Sequence, residues 1–392
     1  MATGRIPTTA NSPLTVKGDL FGYSTTQARV PVGNDGETLV ADSSATTGLS
    51  YGANFAAGKN KIINGDFNIN QRAFSSSTAN GAYGFDRFQL VTQGTGGTTT
   101  YSAQTFTPGT APVSGYEGSN FARLVTASFT GTNTLVQLDQ KIEDVRTFAG
   151  QTITISFWAK AASGTPKIMP YMAQDFGIGG SPSSQTLFAP SAVKTISTSW
   201  ARYSFNISVP SISGKTIGTT ANTSYLSMRI LVSCGSDFSA PYNTVTVQNN
   251  TFDIWGVQVE AGSTATAFQT ATGNIQAELA ACQRYYVRFS STDVYHPYAN
   301  GLTTSTSVGY INVPLPVEMR VAPYALDTST ITKLEIYNSV GSNKVLSALV
   351  IDRPSPKALP LVFTVSGAVN GQPVLLRNSN DATAFFGASA EL

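Results

Sequence analysis

The sequence predicts an all-β protein: an extended N-terminal arm, a central β-sandwich, a short linking helix and a smaller C-terminal β-sandwich. Three observations carry this expectation. Charged residues make up only 12% of the chain, with Gly at 35 residues and Thr, Ser and Asn abundant. Sheet surfaces tolerate Thr well, and turns draw on Gly, Asn and Ser. Apolar and polar residues alternate in many short runs, the signature of half-buried strands, and helical periodicity shows in one stretch alone. At 392 residues the chain exceeds a usual single domain, so two domains and an extension are expected.

The arm, residues 1–58, has few large apolar residues. Within it Arg29–Val32 and Thr38–Ala41 flank Gly33-Asn34-Asp35-Gly36, a hairpin signal. A lone hairpin buries too little to be stable, so the arm is expected to lean on another copy or on a larger assembly.

The central unit, residues 59–271, is organised around Lys61–Arg72. There Phe67 and Ile69 alternate with Asn68 and Asn70 after an Asn64-Gly65-Asp66 turn. Its expected partner is Thr251–Gly262, with Trp255, Val257, Val259 and Ala261 on one side; the two are taken as first and last strands of one sandwich. Between them, Gln151–Lys160 places Ile153, Ile155, Phe157 and Ala159 on one face. Trp200–Val209 does so with Tyr203, Phe205, Ile207 and Val209, and Tyr225–Cys234 with Leu226, Met228, Ile230, Val232 and Cys234. Further strands are expected over 121–129, 134–142 and 167–173. So many strands with no intervening helix pattern mean a sandwich or jelly roll.

Residues 272–289 form the linker. Ile275, Leu279, Cys282 and Tyr286 make one apolar stripe of a helix over Asn274–Arg288, and Asn274 is its N-cap. Cys282 on that stripe reads as a packed thiol. Residues 290–392 return to strand patterns, with runs at 307–313, 332–337, 344–351, 361–365 and 373–377.

Two resemblances follow from these pieces. Lys17-Gly18-Asp19-Leu20, then Ala28-Arg29-Val30-Pro31-Val32-Gly33, then Asp35–Ser43 resemble the leader of tailed-bacteriophage fibre and virion-appendage proteins. In that family the leader lies at the particle-proximal end, which implies virion attachment through Lys17, Gly18, Asp19, Leu20 and Phe21. Asn64–Asn68, Phe85-Asp86-Arg87-Phe88, Ser156–Lys160, Trp200 and Asp253–Gly262 resemble the carbohydrate-binding-module jelly rolls that recur in phage structural proteins. Asp175–Ser183 and Glu278–Tyr286 match the phage version.

The second resemblance implies sugar recognition by exposed rings stacked on pyranose faces. The candidates are Tyr101, Tyr116, Tyr171, Phe176 and Tyr242, with Phe176 the best of them, and Tyr295 and Tyr298 in a C-terminal loop beside the single histidine, His296. Aromatics in such strands are more often core, and Trp158, Trp200 and Trp255 are read that way. The glycine-rich loop of Phe176 fits an inter-subunit contact equally well, and the Tyr295–Tyr298 loop fits a Pro-ordered turn. The same resemblance implies a structural Ca²⁺ between first and last strands on Asp66, Asp253 and Glu260; against it, a carboxylate in an Asn-Gly-Asp turn usually caps its own backbone.

Composition also sets limits. A net charge of +2 with no Lys/Arg block speaks against nucleic acid or an anionic membrane as partner. No apolar run has the ~18 residues of a membrane span, and the first residues lack a signal-peptide core, which predicts folding without secretion. Two cysteines are too few for a disulfide framework. One histidine, no Gly-x-Ser-x-Gly elbow and no phosphate loop speak against catalysis.

The sequence therefore leads to the expectation of a virion structural protein: a homotrimeric tail fibre or spike that contacts other virion proteins and binds a host-surface glycan without chemistry. The alternative is a capsid or tail decoration protein with a purely structural role.

Overall fold

In the computed structural model the described residues are 13–33, 37–53, 56–239, 241–338 and 343–392. Strands dominate, and the single α-helix among the described residues spans Ile275–Gln283. The central unit is two antiparallel sheets face to face. The front sheet runs Ala201–Ser208, Thr152–Ala161, Thr251–Ala261, Asn120–Ala127, Thr98–Thr105 and Ser76–Ser77. The back sheet runs Thr186–Phe188, Lys167–Asp175, Tyr225–Cys234, Leu135–Glu143 and Gln89–Gln93, with Lys194–Thr195 also paired to Lys167–Asp175. Spatial neighbours are mostly distant in the chain, so sheet pairing rather than local hairpins holds the unit together.

The core is where the alternation placed it. Ile153, Ile155, Phe157, Phe205, Ile207 and Val209 of the front sheet meet Leu226, Met228, Ile230 and Val232 of the back sheet. Two side chains depart from it: Trp255, which a bulge at Gly256 turns to the outer face, and Cys234. The ladder slips between Leu231 and Ser233, and a bulge turns later side chains to the other face. Cys234 therefore joins Met169, Tyr171, Leu231 and Val245 in a separate cluster.

The stretch from Asn60 to Arg72 is not a strand, contrary to expectation, although it does lie on the predicted partner. Thr251–Ala261 pairs with Asn120–Ala127 only from Thr251 to Ile254, which leaves the rest of its edge open. The chain from Asn60 to Gly65 fills that edge through Lys61 N–H to Val259 O (3.0 Å) and Val257 N–H to Gly65 O (2.8 Å). It then turns too sharply to continue as a strand, with Asn64 and Phe67 both at positive φ, 61° and 57°. The Asn64 side chain closes the turn on itself, bonding Ile69 N–H and both the Ile69 and Asp86 carbonyls. Phe67 is thereby pressed onto Phe88 and Phe85 at 4.6 and 5.2 Å.

The helix is capped as expected: Asn274 accepts from Ala277 N–H at 2.8 Å. Its buried face is different. Ile275 is exposed and the inward positions are Glu278 and Cys282; Tyr286 already belongs to strand Tyr286–Ser290. Glu278 turns inward because its carboxylate accepts from Asn64 N–H and from Thr272 N–H and hydroxyl, partners a leucine could not serve. Burial pushes the Cys282 thiol well above its ordinary pKa, in keeping with a packed side chain.

The C-terminal unit pairs Tyr286–Ser290, Phe385–Ser389 and Ala325–Thr328 in one small sheet. Against it lies a seven-stranded sheet ordered Asn343–Val345, Leu334–Asn338, Pro373–Asn378, Pro297–Thr303, Val308–Pro314, Ala358–Thr364 and Ala348–Ile351. Ile311, Leu334, Leu361, Phe363, Leu376 and Phe386 fill the space between.

A buried charged joint ties this unit to the central one. The Arg87 guanidinium pairs with Glu391, donates to Lys141 O and lies 3.3 Å over the Tyr285 ring. Arg72 bridges Glu391 at 3.3 Å and Asp86 at 3.5 Å. Arg320 donates to Ala390 O and, across the joint, to Asn222 O.

In the arm, the expected hairpin between 29–32 and 38–41 gives way to two others. Leu20–Tyr23 pairs with Gln27–Val30, and Glu37–Ala41 with Leu49–Ala53; of the turn once expected between them, residues 34–36 lie outside the described residues. Local turn chemistry decides the pairing. Ser24 N–H bonds Thr26 O in one hairpin, and in the other Asp42 N–H bonds Gly48 O while its carboxylate accepts from Ser44 N–H.

Two measurements test these joints. A Cβ on Gly65 would lie 2.2 Å from Val257 O, so Gly65→Ala is expected to cost about 1–3 kcal/mol in chemical denaturation. Arg87→Ala leaves the buried Glu391 carboxylate with the longer Arg72 contact alone, and the expected loss is about 3 kcal/mol.

Candidate functional site

The rings proposed from sequence as platforms are mostly internal. Tyr101 is fully buried on the inner side of its strand, where its hydroxyl accepts from Phe85 N–H at 3.2 Å. Phe176 is 1% exposed beneath its glycine loop, which folds back through Gly218 N–H to Phe176 O. Tyr171 donates its hydroxyl to Gln137 and is covered by Tyr242 at 4.8 Å. None of the three presents a face to solvent. Tyr298 packs on Phe386 at 5.4 Å and donates to Ala384 O, whereas Tyr295 stands 44% exposed beside Arg377.

The carboxylates expected to share a cation are each committed elsewhere. Asp66 accepts from Tyr116 hydroxyl and Asn68 amide, both at 2.7 Å. Asp253 takes a two-pronged contact from Arg123, and Glu260 accepts from Thr266, Gln258 and Lys59. Among the described residues no group of three or more His, Cys, Asp or Glu could hold a metal ion. Of the residues proposed for attachment, Asp19 organises its loop. Against the burial that would raise its pKa, Arg29 and the N–H groups of Thr15, Val16 and Val32 hold its carboxyl well below the usual range. Leu20 and Phe21 are exposed.

The outward side of the front sheet is the surface where rings and polar groups converge. A bulge at Gly256, φ 64°, shifts the register so that Trp255 stands opposite Trp158 on the outer face, ring to ring at 5.4 Å. Tyr116, Phe268 and Phe106 close over Trp255 at 5.5, 5.1 and 6.2 Å. Phe106 and Phe121 then form a footing for Trp200 at 5.5 and 5.4 Å. Trp200 is half-buried, so part of its ring system faces water.

Beside it runs a ladder of charge. Arg123, Asp253 and Lys160 are direct cross-strand neighbours on three adjacent strands. Arg123 reaches Asp253 at 2.6 and 2.9 Å, and Lys160 lies 3.6 Å from the same carboxylate and 5.3 Å over the Trp200 ring. Gln104 accepts from Arg123 at 3.4 Å. The side chains of Arg123 and Lys160 keep a third of their surface in solvent. A half-open indole, a guanidinium, an ammonium, a carboxylate and an amide thus share one patch. Such a set can stack on an apolar ring face and bond hydroxyls around its rim.

Sequence reasoning missed Trp200. The signal was present: the alternation that sends Tyr203, Phe205 and Ile207 inward assigns Trp200, with Arg202 and Ser204, to the opposite side.

The outer face of the back sheet is closed instead. Asp139 is buried there, one oxygen 3.5 Å from Arg229 and the other without a hydrogen-bond partner. Burial, only partly offset by Arg229 and Lys141, raises its pKa from 3.8 to about 7. The folded state therefore holds a proton that the unfolded state releases near pH 4, and the cost of this site grows as pH rises from about 4 to 7. Asp139→Asn is expected to flatten that part of the stability–pH curve and to raise stability above pH 7, measured by denaturation at several pH values.

No family model and no curated protein matches this chain. Among solved structures, the enzymatically active domain of tailspike protein 4 of bacteriophage CBA120 aligns with 54% of this chain at 13% identity and a TM-score of 0.29, and the alignment covers 23% of that domain. The family 11 carbohydrate-binding module of a Clostridium thermocellum cellulase aligns with 49% of this chain at 11% identity and TM-score 0.27, covering 98% of the module. A xylan-binding domain from a Paenibacillus barcinonensis protein aligns with 48% at 20% identity and TM-score 0.27, again covering 98% of its partner. Likeness this distant carries no argument about ligand or activity.

Proposed function

We propose that this chain is a non-catalytic glycan-binding structural protein of a phage particle, and that the front sheet's outer face holds the sugar. The observation that carries the reading is Trp200: a half-open indole on an aromatic footing, ringed by Lys160, Asp253, Arg123 and Gln104. A pyranose ring would stack on the indole. Its hydroxyls would donate to Asp253 and Gln104 and accept from Arg123 and Lys160. Asp253 is already paired to both cations; two cations on one carboxylate leave a single positive charge in excess, which the hydroxyl oxygens of an uncharged glycan can meet as acceptors.

The virion assignment rests on the resemblance of the arm to phage-appendage leaders, with Leu20 and Phe21 exposed and ready to contact another virion protein. Weak sites repeated on one particle would add through avidity. In this reading the particle carries the chain as a fibre or spike, and no catalytic step is assigned to it.

The test is a glycan array followed by titration of the full chain. Wild type is expected to bind a neutral glycan. Trp200→Ala should weaken binding about tenfold, ~1.4 kcal/mol, with circular dichroism unchanged and Trp200→Phe intermediate. No binding by the folded wild type, or equal binding by Trp200→Ala, would overturn the site and leave a purely structural decoration role.

A further inference from the structure

Between residues 59 and 271 the exposed large apolar side chains among the described residues are Ile178 and Leu187 alone. In the C-terminal unit they recur, and three of them, Leu302, Tyr310 and Val350, line up. Register on the seven-stranded sheet sets Val350 opposite Val362, Val362 opposite Tyr310, Tyr310 opposite Leu302 and Leu302 opposite Pro373. The inward neighbours Leu349, Phe363, Ile311 and Val374 are core, so this row stands on the opposite, outer face. Val350, Tyr310 and Leu302 are 53%, 43% and 47% exposed. Five adjacent strands thus carry one continuous apolar row without a charged side chain, the kind of uncovered patch that marks an interaction surface.

We propose that this row is where a second copy of this chain docks, sheet face against sheet face. Three features select that occupant. The row itself carries no charged or amide side chain, and amides enter only at the hollow, on Asn300 and Asn338, so a sugar lying along it would find few partners. Its charge lies at the margins in opposite-sign pairs, Asp352 with Arg353 and Glu335 with Arg377; a neutral centre with a balanced rim meets its own copy without like-charge repulsion. The row is also uneven along its length. Val350 projects at one end, while the other end sinks into an apolar hollow of about 230 Å³ lined by Asn300, Tyr337, Pro373 and Leu375 among others. A projection and a recess at opposite ends of one surface let two copies fill each other.

This inference does not depend on glycan binding, since Trp200 lies in the other sandwich. Sedimentation velocity of the full chain is the test, on wild type, Leu302→Glu, Tyr310→Glu and Tyr310→Phe. Wild type and Tyr310→Phe should sediment as an oligomer, and both Glu variants as single chains with unchanged circular dichroism. Should either Glu variant fail to fold, wild type followed by hydrogen exchange across a dilution series decides: amides of 300–312 and 373–375 should lose protection as the oligomer dissociates. A wild type that is monomeric at every concentration overturns the proposal and leaves the face to a different protein. Oligomers untouched by both folded Glu variants, or exchange that ignores dilution, overturn it as well.

Discussion

The buried amide of Asn60 is the interaction on which the central unit depends. Its Nδ2 donates to Val257 O and Gln269 O, and its Oδ1 accepts from Ile62 N–H and Val259 N–H. Two donors and two acceptors are all satisfied, which is what a buried amide needs to be neutral or favourable rather than costly. Through it the entering chain is stitched to the last strand and to the loop beyond. That contact closes an edge the sheet would otherwise leave unpaired, and it fixes the Asn64 turn that sets Phe67 in the core.

From the same segment the structure passes to the joint. Asn64 N–H meets Glu278 of the helix, and Gln71 donates to Tyr286 O where the second unit begins. Arg72 follows at once and Arg87 after a longer loop, and both capture Glu391. The joint is charged yet almost dry, so its ions are tolerated only because each has a close partner. Geometry of that kind makes the relation between the two sandwiches specific instead of merely adhesive.

The sandwich's two outer faces are treated differently, and the proposed glycan site follows from that difference. Tyr242 and Val245 cover Tyr171 on the back sheet, and desolvation raises the pKa of the Asp139 carboxyl beside it. The front sheet receives the loops bearing Phe106, Tyr116 and Phe268, which close over Trp255 but only flank Trp200 and leave its ring half open. The proposed glycan site draws on the exposed aromatic area with paired charges beside it, and the proposed docking face on the uncharged C-terminal row.

Sequence alone determined the all-β class, the inward faces of the main strands, the partnership of the Lys61 segment with Thr251–Ala261, and the Asn274 cap. Each rests on local information: period-two alternation, turn residues, a capping side chain. Tertiary structure decided the rest, because the competing terms are long-range. Positive φ at Asn64 and Phe67 turned an apparent strand into a packed loop, since the open edge offered only a few backbone partners. Donors at Asn64 and Thr272 pulled the accepting Glu278 carboxylate inward in place of Ile275. A bulge at Gly256 and another near Leu231 flipped side chains that simple alternation had assigned. Whether Tyr101, Phe176 or Trp200 meets water depended on which loop came to lie over it, a matter of contacts between residues far apart in the chain.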